Sequence, residues 1–107
     1  MLTEQNPGPS GGLSQSVTAP SPRLNLSNCD DFKSEVIRRI GNDCRRLTID
    51  MSETEFVDSS GIGALVALRK AVSAEGTVVL VNPTEFVRRV LRLTRMETVF
   101  QIEPPLD

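Results

Sequence analysis

The run Thr77-Val78-Val79-Leu80-Val81 is apolar on both faces and is bounded by Gly76 on one side and Asn82-Pro83 on the other. A strand of that kind belongs in the interior of a sheet, because either face would be a liability at an edge. Upstream, Leu47-Thr48-Ile49-Asp50-Met51 places apolar residues at alternate positions, the pattern of a strand with one covered face. Between the two, Ile62, Leu65, Val66, Leu68 and Val72 recur at helical spacing, which predicts a helix from about Gly61 to Ala74 before Glu75-Gly76 breaks it. Strand, helix and interior strand in that order make a parallel βαβ unit with a right-handed crossover, so the chain is read as α/β.

The flanking elements follow from similar signals. A helix is expected to start at Ser27 or Asn28, with Asp30 and Asp31 in its first turn, and to end at Gly41; Cys29, Phe32, Val36 and Ile40 form its buried stripe. Arg23-Leu24-Asn25-Leu26 can form a strand before it. After a polar link, Phe56-Val57 is read as continuing the strand at 47–51 up to Asp58. Asn82-Pro83-Thr84-Glu85 predicts a third helix, with Asn82 as N-cap, Pro83 at the first helical position and Glu85 at the third. Phe86, Val87, Val90, Leu91 and Leu93 are its expected inward arc, opposite Arg88, Arg89, Arg92 and Arg95. Thr98 to Ile102 can form a last strand, stopped by Pro104-Pro105.

Residues 1–22 hold Pro7, Pro9, Pro20 and Pro22, three glycines and many Ser, Thr and Gln. Such composition does not repay the entropy of ordering, so most of this stretch is expected to be a flexible tail, with a short edge strand available at Gln15 to Thr18. That leaves about 85 residues for one domain with a small core. The chain of 107 residues has no Trp, Tyr or His, and Phe32, Phe56, Phe86 and Phe100 are spread through it, so aliphatic side chains must carry the burial. A net charge of -2 gives no global attraction to nucleic acid. No apolar run approaches the roughly 20 residues needed to span a bilayer, and no secretory signal opens the chain; a soluble, cytoplasmic protein with no membrane partner is expected. Cys29 and Cys44 lack metal or redox spacing and are read as reduced packing residues.

The stretch with most chemical content is Phe56-Val57-Asp58-Ser59-Ser60-Gly61-Ile62-Gly63, which sets two hydroxyls where strand gives way to helix. Backbone N–H groups and the positive end of a helix dipole favour a phosphate there. Asp-Ser-Ser-Gly equally suits plain helix capping. Gly61-Ile62-Gly63 is followed by neither a dinucleotide fingerprint nor a Walker lysine. With no histidine, no cysteine beside a base and no identifiable carboxylate pair, an enzyme is not expected. The acidic residues Asp50, Glu53, Glu55 and Asp58 read as a solvated loop that would modify any phosphate effect. For the four arginines a wet helix face and a contact with an acidic partner both stand.

From Arg23 to Glu103 the chain resembles the STAS domain, and within it the anti-sigma-factor antagonists of bacterial partner-switching systems. The resemblance rests on ordered features: Leu24-Asn25 before a capped helix, the strand Leu47 to Met51, Asp58-Ser59-Ser60-Gly61-Ile62-Gly63, the strand Val78 to Val81, Asn82-Pro83, and Val87-Arg88-Arg89-Val90-Leu91-Arg92-Leu93. It implies a STAS-type sheet of about four or five mixed strands with helices packed mainly on one face, over residues 23–107. It implies that Ser59, the first hydroxyl after the aspartate, is phosphorylated, with Ser60 as second choice. Partner contacts would fall on Asn25, Asp58, Ser59, Ser60, Gly61, Ile62 and Gly63. The implied partners are an anti-sigma factor serine kinase and a PP2C-type phosphatase, with the sigma factor affected only indirectly and no cofactor in this chain. Two departures from the family pattern stand out: Pro22-Arg23-Leu24-Asn25 follows a proline-rich stretch instead of two strands and a glycine, and Asn25 replaces an aspartate. The alternative use of the same fold is as a STAS-like accessory subunit of a lipid-transport ABC system, binding an ATPase subunit constitutively.

Overall fold

A computed structural model describes residues 14–106. Four strands, β1 (Ser14–Thr18), β3 (Arg46–Asp50), β5 (Thr77–Val81) and β6 (Gln101–Glu103), form one sheet in the order β1-β3-β5-β6. Every pairing in it is parallel, so the expected mixed sheet is not what the described strands form. The register aligns Val17, Ile49, Leu80 and Ile102 in one row across the sheet, and all four are buried. The doubly apolar β5 lies in the interior of the sheet, and Val78, Val79 and Leu80 are all fully covered.

Three helices follow: α1 (Cys29–Ile40), α2 (Ser59–Ala71) and α3 (Glu85–Leu93). Val36 and Ile40 of α1, Leu65 and Leu68 of α2, and Val87 and Leu91 of α3 join a single core cluster with Leu47, Ile49, Val78 and Leu80 from one face of the sheet. Phe32 packs against that cluster only partly buried. Cys29 and Cys44 are buried free thiols, and burial pushes the Cys44 thiol above its ordinary pKa, keeping it protonated.

Several local expectations give way to tertiary contacts. Phe56–Val57 does not prolong β3; it is a separate strand, β4, paired in parallel with β2 (Arg23–Leu24) in a second, two-stranded sheet. The N-cap of α3 is Thr84, whose hydroxyl accepts from the Val87 N–H. Asn82 instead turns the chain in the left-handed region at φ 55°, a conformation that asparagine tolerates better than most residues. Phe86 and Leu93 are exposed, because α3 packs along the narrower line of Val87 and Leu91, with Val90 half-buried. The final strand starts later than expected, since the chain leaves α3 through a left-handed Arg95 and a 3₁₀ turn at Met96–Thr98. Arg89, Arg92 and Arg95 are exposed and Arg88 is half-buried, so the arginine face is largely wet, and two of its members also hold backbone carbonyls. Arg88 donates to the carbonyls of Pro104 (3.1 Å) and Pro105 (2.7 Å), and Arg92 to that of Leu106 (3.2 Å), which fastens the C-terminal stretch and its buried Leu106 along the helix.

The proline- and serine-rich opening contributes to the fold from residue 14 onward; residues 1–13 of the expected tail lie outside the described residues. β1 pairs with β3, Ala19 is buried, and its N–H extends the pairing to the Asp50 carbonyl. The link between β3 and β4 is anchored at Thr54, which is fully buried. Its hydroxyl donates to the Pro20 carbonyl at 2.8 Å, and its own carbonyl accepts from Thr84 Oγ1 at 3.0 Å. Thr54→Val preserves shape and strands the Pro20 carbonyl, so it should cost about 1–3 kcal/mol. A lowered urea midpoint at unchanged slope is the expected readout, and an unchanged midpoint would remove Thr54 from this role.

Candidate functional site

The strand-to-helix junction is built around Asp58. β4 delivers Val57 into the core, Asp58 adopts an extended conformation, and α2 begins at the next residue. Asp58 is therefore the N-cap, and Ser59, Ser60 and Gly61 form the first helical turn, two residues earlier than periodicity predicts. One carboxylate oxygen of Asp58 accepts from the Gly61 N–H at 2.9 Å, as an N-cap does. The other accepts from the Leu26 N–H at 3.1 Å, thirty-two positions away in sequence. The backbone adds two further ties, Asp58 N–H to the Leu24 carbonyl (3.3 Å) and Ile62 N–H to the Asp58 carbonyl (3.0 Å).

These bonds revise the expected phosphate cradle. The N–H groups of Gly61 and Ile62 are already engaged, and that of Gly63 lies within the helix ladder. The N–H groups left over by helix geometry are those of Ser59 and Ser60. Ser59 itself is exposed, while Ser60, Asp58 and Ile62 are half-buried.

The two glycines have different reasons for being glycine. A Cβ on Gly61 would lie 2.5 Å from the Leu24 carbonyl oxygen and 2.6 Å from a Val57 methyl, so a side chain there would push the start of α2 off the small sheet. A Cβ on Gly63 would meet nothing within 4 Å, and the residue is exposed. Gly63 leaves a bare patch of helix surface one turn beyond Ser59.

Asn25 is brought to this site indirectly. Its side-chain oxygen accepts from the Ser27 N–H (3.0 Å) and hydroxyl (2.8 Å), and its carbonyl accepts from the N–H groups of Asn28 and Cys29. The Asn28 side chain accepts from the Asn25 N–H and donates to the Arg23 carbonyl, so it braces this turn and makes no side-chain cap for α1. The braced turn presents Leu26, 74% exposed, beside Asp58. On the other flank, Phe56 stacks on Phe86 with ring centroids 5.3 Å apart, both about two-fifths exposed (40% and 42%). Sequence periodicity assigned Phe86 to the core and gave no hint of Leu26, since neither contact is local.

Asp50 turns its carboxylate to the Ser52 N–H, and Glu53 and Glu55 are exposed. Among the described residues no group of three or more His, Cys, Asp or Glu could hold a metal ion. Nor is any helix among them long and apolar enough to cross a membrane.

Comparison with known proteins extends this picture. The family model of the STAS domain matches residues 14–107. A Thermotoga maritima protein whose name marks it as a candidate anti-sigma factor antagonist is 32% identical over 88 residues, covering 80% of this chain and 78% of the relative. A STAS-domain containing protein of Pseudomonas aeruginosa is 28% identical over 81 residues, covering 75% of this chain and 79% of the relative. The crystal structure of the Thermotoga maritima protein superposes with a TM-score of 0.68 at 31% identity, over 80% of this chain and 75% of that one. The anti-sigma factor antagonist SpoIIAA in its unphosphorylated form superposes with a TM-score of 0.71, over 84% of this chain and 79% of that one; at 18% identity the likeness is one of fold.

The contrast between the glycines gives a paired prediction. Gly61→Ala should destabilise the domain by about 1–3 kcal/mol through overpacking. Gly63→Ala should leave stability unchanged or raise it by up to about 1 kcal/mol, the helix-propensity gain. Equal thermal shifts for the two variants in a melting experiment would contradict the packing assigned to Gly61.

Proposed function

The chain belongs to the STAS domain family, and we propose that it acts there as an anti-sigma-factor antagonist gated by phosphorylation of Ser59. In the unphosphorylated state it binds an anti-sigma factor that is also a serine kinase, and so releases a sigma factor in the cytoplasm. The kinase transfers a phosphoryl group from ATP to Ser59 Oγ, the hydroxyl proton leaves to a base of the kinase, and the complex separates. A PP2C-type phosphatase hydrolyses the ester and restores the serine. The chain is the substrate in both steps and supplies no catalytic group.

The observation that carries this reading is the exposed Ser59 hydroxyl at the first position of α2, next to a cap already satisfied by Asp58. Its exposure favours it over the half-buried Ser60 as the acceptor. A phosphate here adds roughly -1.5 to -2 charge and three acceptor oxygens. The domain accommodates it, because the unclaimed N–H groups of the first turn and the helix dipole both face it. A partner packed on the bare serine would instead enclose an unpaired dianion. A loss of about 3–4 kcal/mol corresponds to a few hundredfold in affinity, which suffices for a switch without rearrangement of the fold.

Partner contacts are proposed at Asp58, Ser59, Ser60, Ile62 and the open surface at Gly63. Asn25 and Gly61 act by shaping that surface, one through its turn and the other through close packing. Binding to the cognate anti-sigma kinase, measured for the wild type, Ser59→Ala and Ser59→Asp, tests the proposal. Ser59→Ala should bind and gain no mass with kinase and ATP, Ser60→Ala should still gain one phosphoryl group, and Ser59→Asp should bind about a hundredfold more weakly. Modification of Ser59→Ala, or tight binding by Ser59→Asp, would remove Ser59 from the role. Constitutive co-purification with an ABC ATPase, without phosphate in cells, would favour the transport alternative.

A further inference from the structure

The surface that would meet a partner at Ser59 is short of apolar anchors. Of the contacts proposed there, Asp58, Ser59, Ser60 and Gly63 offer no large apolar side chain, and Ile62 is half-buried against the core. Association between proteins draws most of its energy from a few groups, aromatic ones prominent among them, that leave water at the centre of the interface. Such groups stand just outside this set. Among the described residues five large hydrophobics are exposed, and three of them, Leu26, Phe56 and Phe86, border the junction.

Their positions follow from the local backbone. Alternate residues of an extended strand share a face, so Val57 points into the core and Phe56 shares the outer face with Asp58, about 7 Å along the chain. Phe86 reaches the same place from the first turn of α3 and stacks on Phe56 with the ring planes 21° apart. Both backbones are fixed. β2 pairs with β4, and Thr84, the cap of α3, donates its hydroxyl to the carbonyl of the buried Thr54. On the other flank of the cap, Leu26 is held by its own N–H on the Asp58 carboxylate. One exposed leucine or phenylalanine is ordinary, but two rings arranged in a stack and a leucine on a braced turn, all bordering one exposed hydroxyl, form a patch. Because each is already held in place, covering it forfeits little conformational freedom.

We propose that Leu26 and the Phe56–Phe86 stack are the apolar anchors by which the anti-sigma factor kinase recognises this chain, flanking Ser59 on its two sides. This rests on the function proposed above and names the residues that set the affinity for that partner. The occupant follows from continuity with the phosphoacceptor. An interface of ordinary size covers about 800 Å² on each partner, a disc roughly 16 Å in radius. Centred on Ser59, which the kinase must reach, such a disc takes in Leu26, Phe56 and the ring stacked on Phe56. The partner surface that fits is apolar opposite the stack and opposite Leu26, with a gap between for the serine hydroxyl. Glu53, Glu55 and Glu85, together with Arg23 beside Phe56 in the β2–β4 register and Arg89 one turn along α3, are all exposed and supply a polar rim of mixed charge.

The test uses the full chain, and its probe is the purified anti-sigma factor kinase that phosphorylates the wild type. Affinity is measured by calorimetry with a non-hydrolysable ATP analogue, and phosphorylation by steady-state kinetics with ATP. Phe86→Ala should weaken binding about tenfold or more and Leu26→Ala about fivefold, each raising KM with kcat unchanged, since these groups touch the partner and not the transferred phosphoryl group. Leu93→Ala, which truncates another exposed side chain at the far end of α3, should change neither. Unchanged affinity in a folded Phe86→Ala, or equal weakening by Leu93→Ala, would overturn the inference and leave the Ser59 switch intact. Should Phe86→Ala fail to fold, Leu26→Ala decides, and undiminished binding by that variant overturns the inference. Tight binding by Ser59→Asp would instead remove the switch and leave the anchors standing, so the two failures are distinguishable. Self-association of the wild type that Phe86→Ala abolishes, with kinase affinity unchanged, would reassign the stack to a second copy of this chain.

Discussion

The carboxylate of Asp58 is the interaction on which the rest of the site depends. It accepts two backbone N–H groups that sequence separates widely, Gly61 at the start of α2 and Leu26 in the turn before α1. Both bonds have an ionised acceptor, which makes each roughly twice as strong as a neutral one. One side chain thereby fixes the direction in which α2 leaves the small sheet and the position of the turn that precedes α1. It also settles the state of Ser59. Were Ser59 itself the cap, its hydroxyl oxygen would be turned back onto the helix; with the preceding aspartate as cap, that hydroxyl is left outside and exposed. The proposed acceptor is available because its neighbour does the capping.

Close packing holds the same geometry from below. The approach of α2 to the Leu24 carbonyl and Val57 leaves no room for a side chain at Gly61, so the first turn sits directly on β2 and β4. Those two strands are only two residues each, and outside such a contact a parallel pair of that length would be marginal. The small sheet, the glycine and the aspartate stabilise one another, and none of the three would have much independent reason to form.

How far this was legible from residues alone varies with the range of the forces involved. β5 and the span of α1 were readable, because an all-apolar run and a regularly spaced stripe ending at a glycine are local signals, although the expected side-chain cap of α1 did not form. The DSSG stretch was readable as a junction. What escaped were outcomes decided by distant partners. Asn82-Pro83-Thr84-Glu85 offers two capping residues, and sequence preferred Asn82; the structure uses Thr84, whose hydroxyl also reaches the Thr54 carbonyl, and leaves Asn82 to make a left-handed turn. The arginine face of α3 is solvated at Arg89, Arg92 and Arg95, but nothing local shows that Arg88 and Arg92 also hold the carbonyls of residues 104–106. Phe86 satisfied helical periodicity yet stacks on Phe56 at the surface, since the pairing of β4 with β2 in a separate sheet is what places Phe56 there.

That surface placement bears on how strongly one phosphate can act. Between charges in open water a dianion is screened within about a Debye length, roughly 8 Å at physiological salt, and its effect on association would be slight. Ser59 does not stand in a wholly polar setting. Leu26, strongly exposed, is one hydrogen bond from Asp58, and the Phe56–Phe86 stack begins three residues upstream of Ser59. A partner that covered these apolar groups would expel water from the junction and drain the solvent screening from the helix terminus. Desolvation then raises the cost of an unpaired phosphate from a few tenths of a kcal/mol, typical of exposed pairs, to several. In the proposed switch the serine supplies the place for the charge, while its apolar neighbours make that charge decisive.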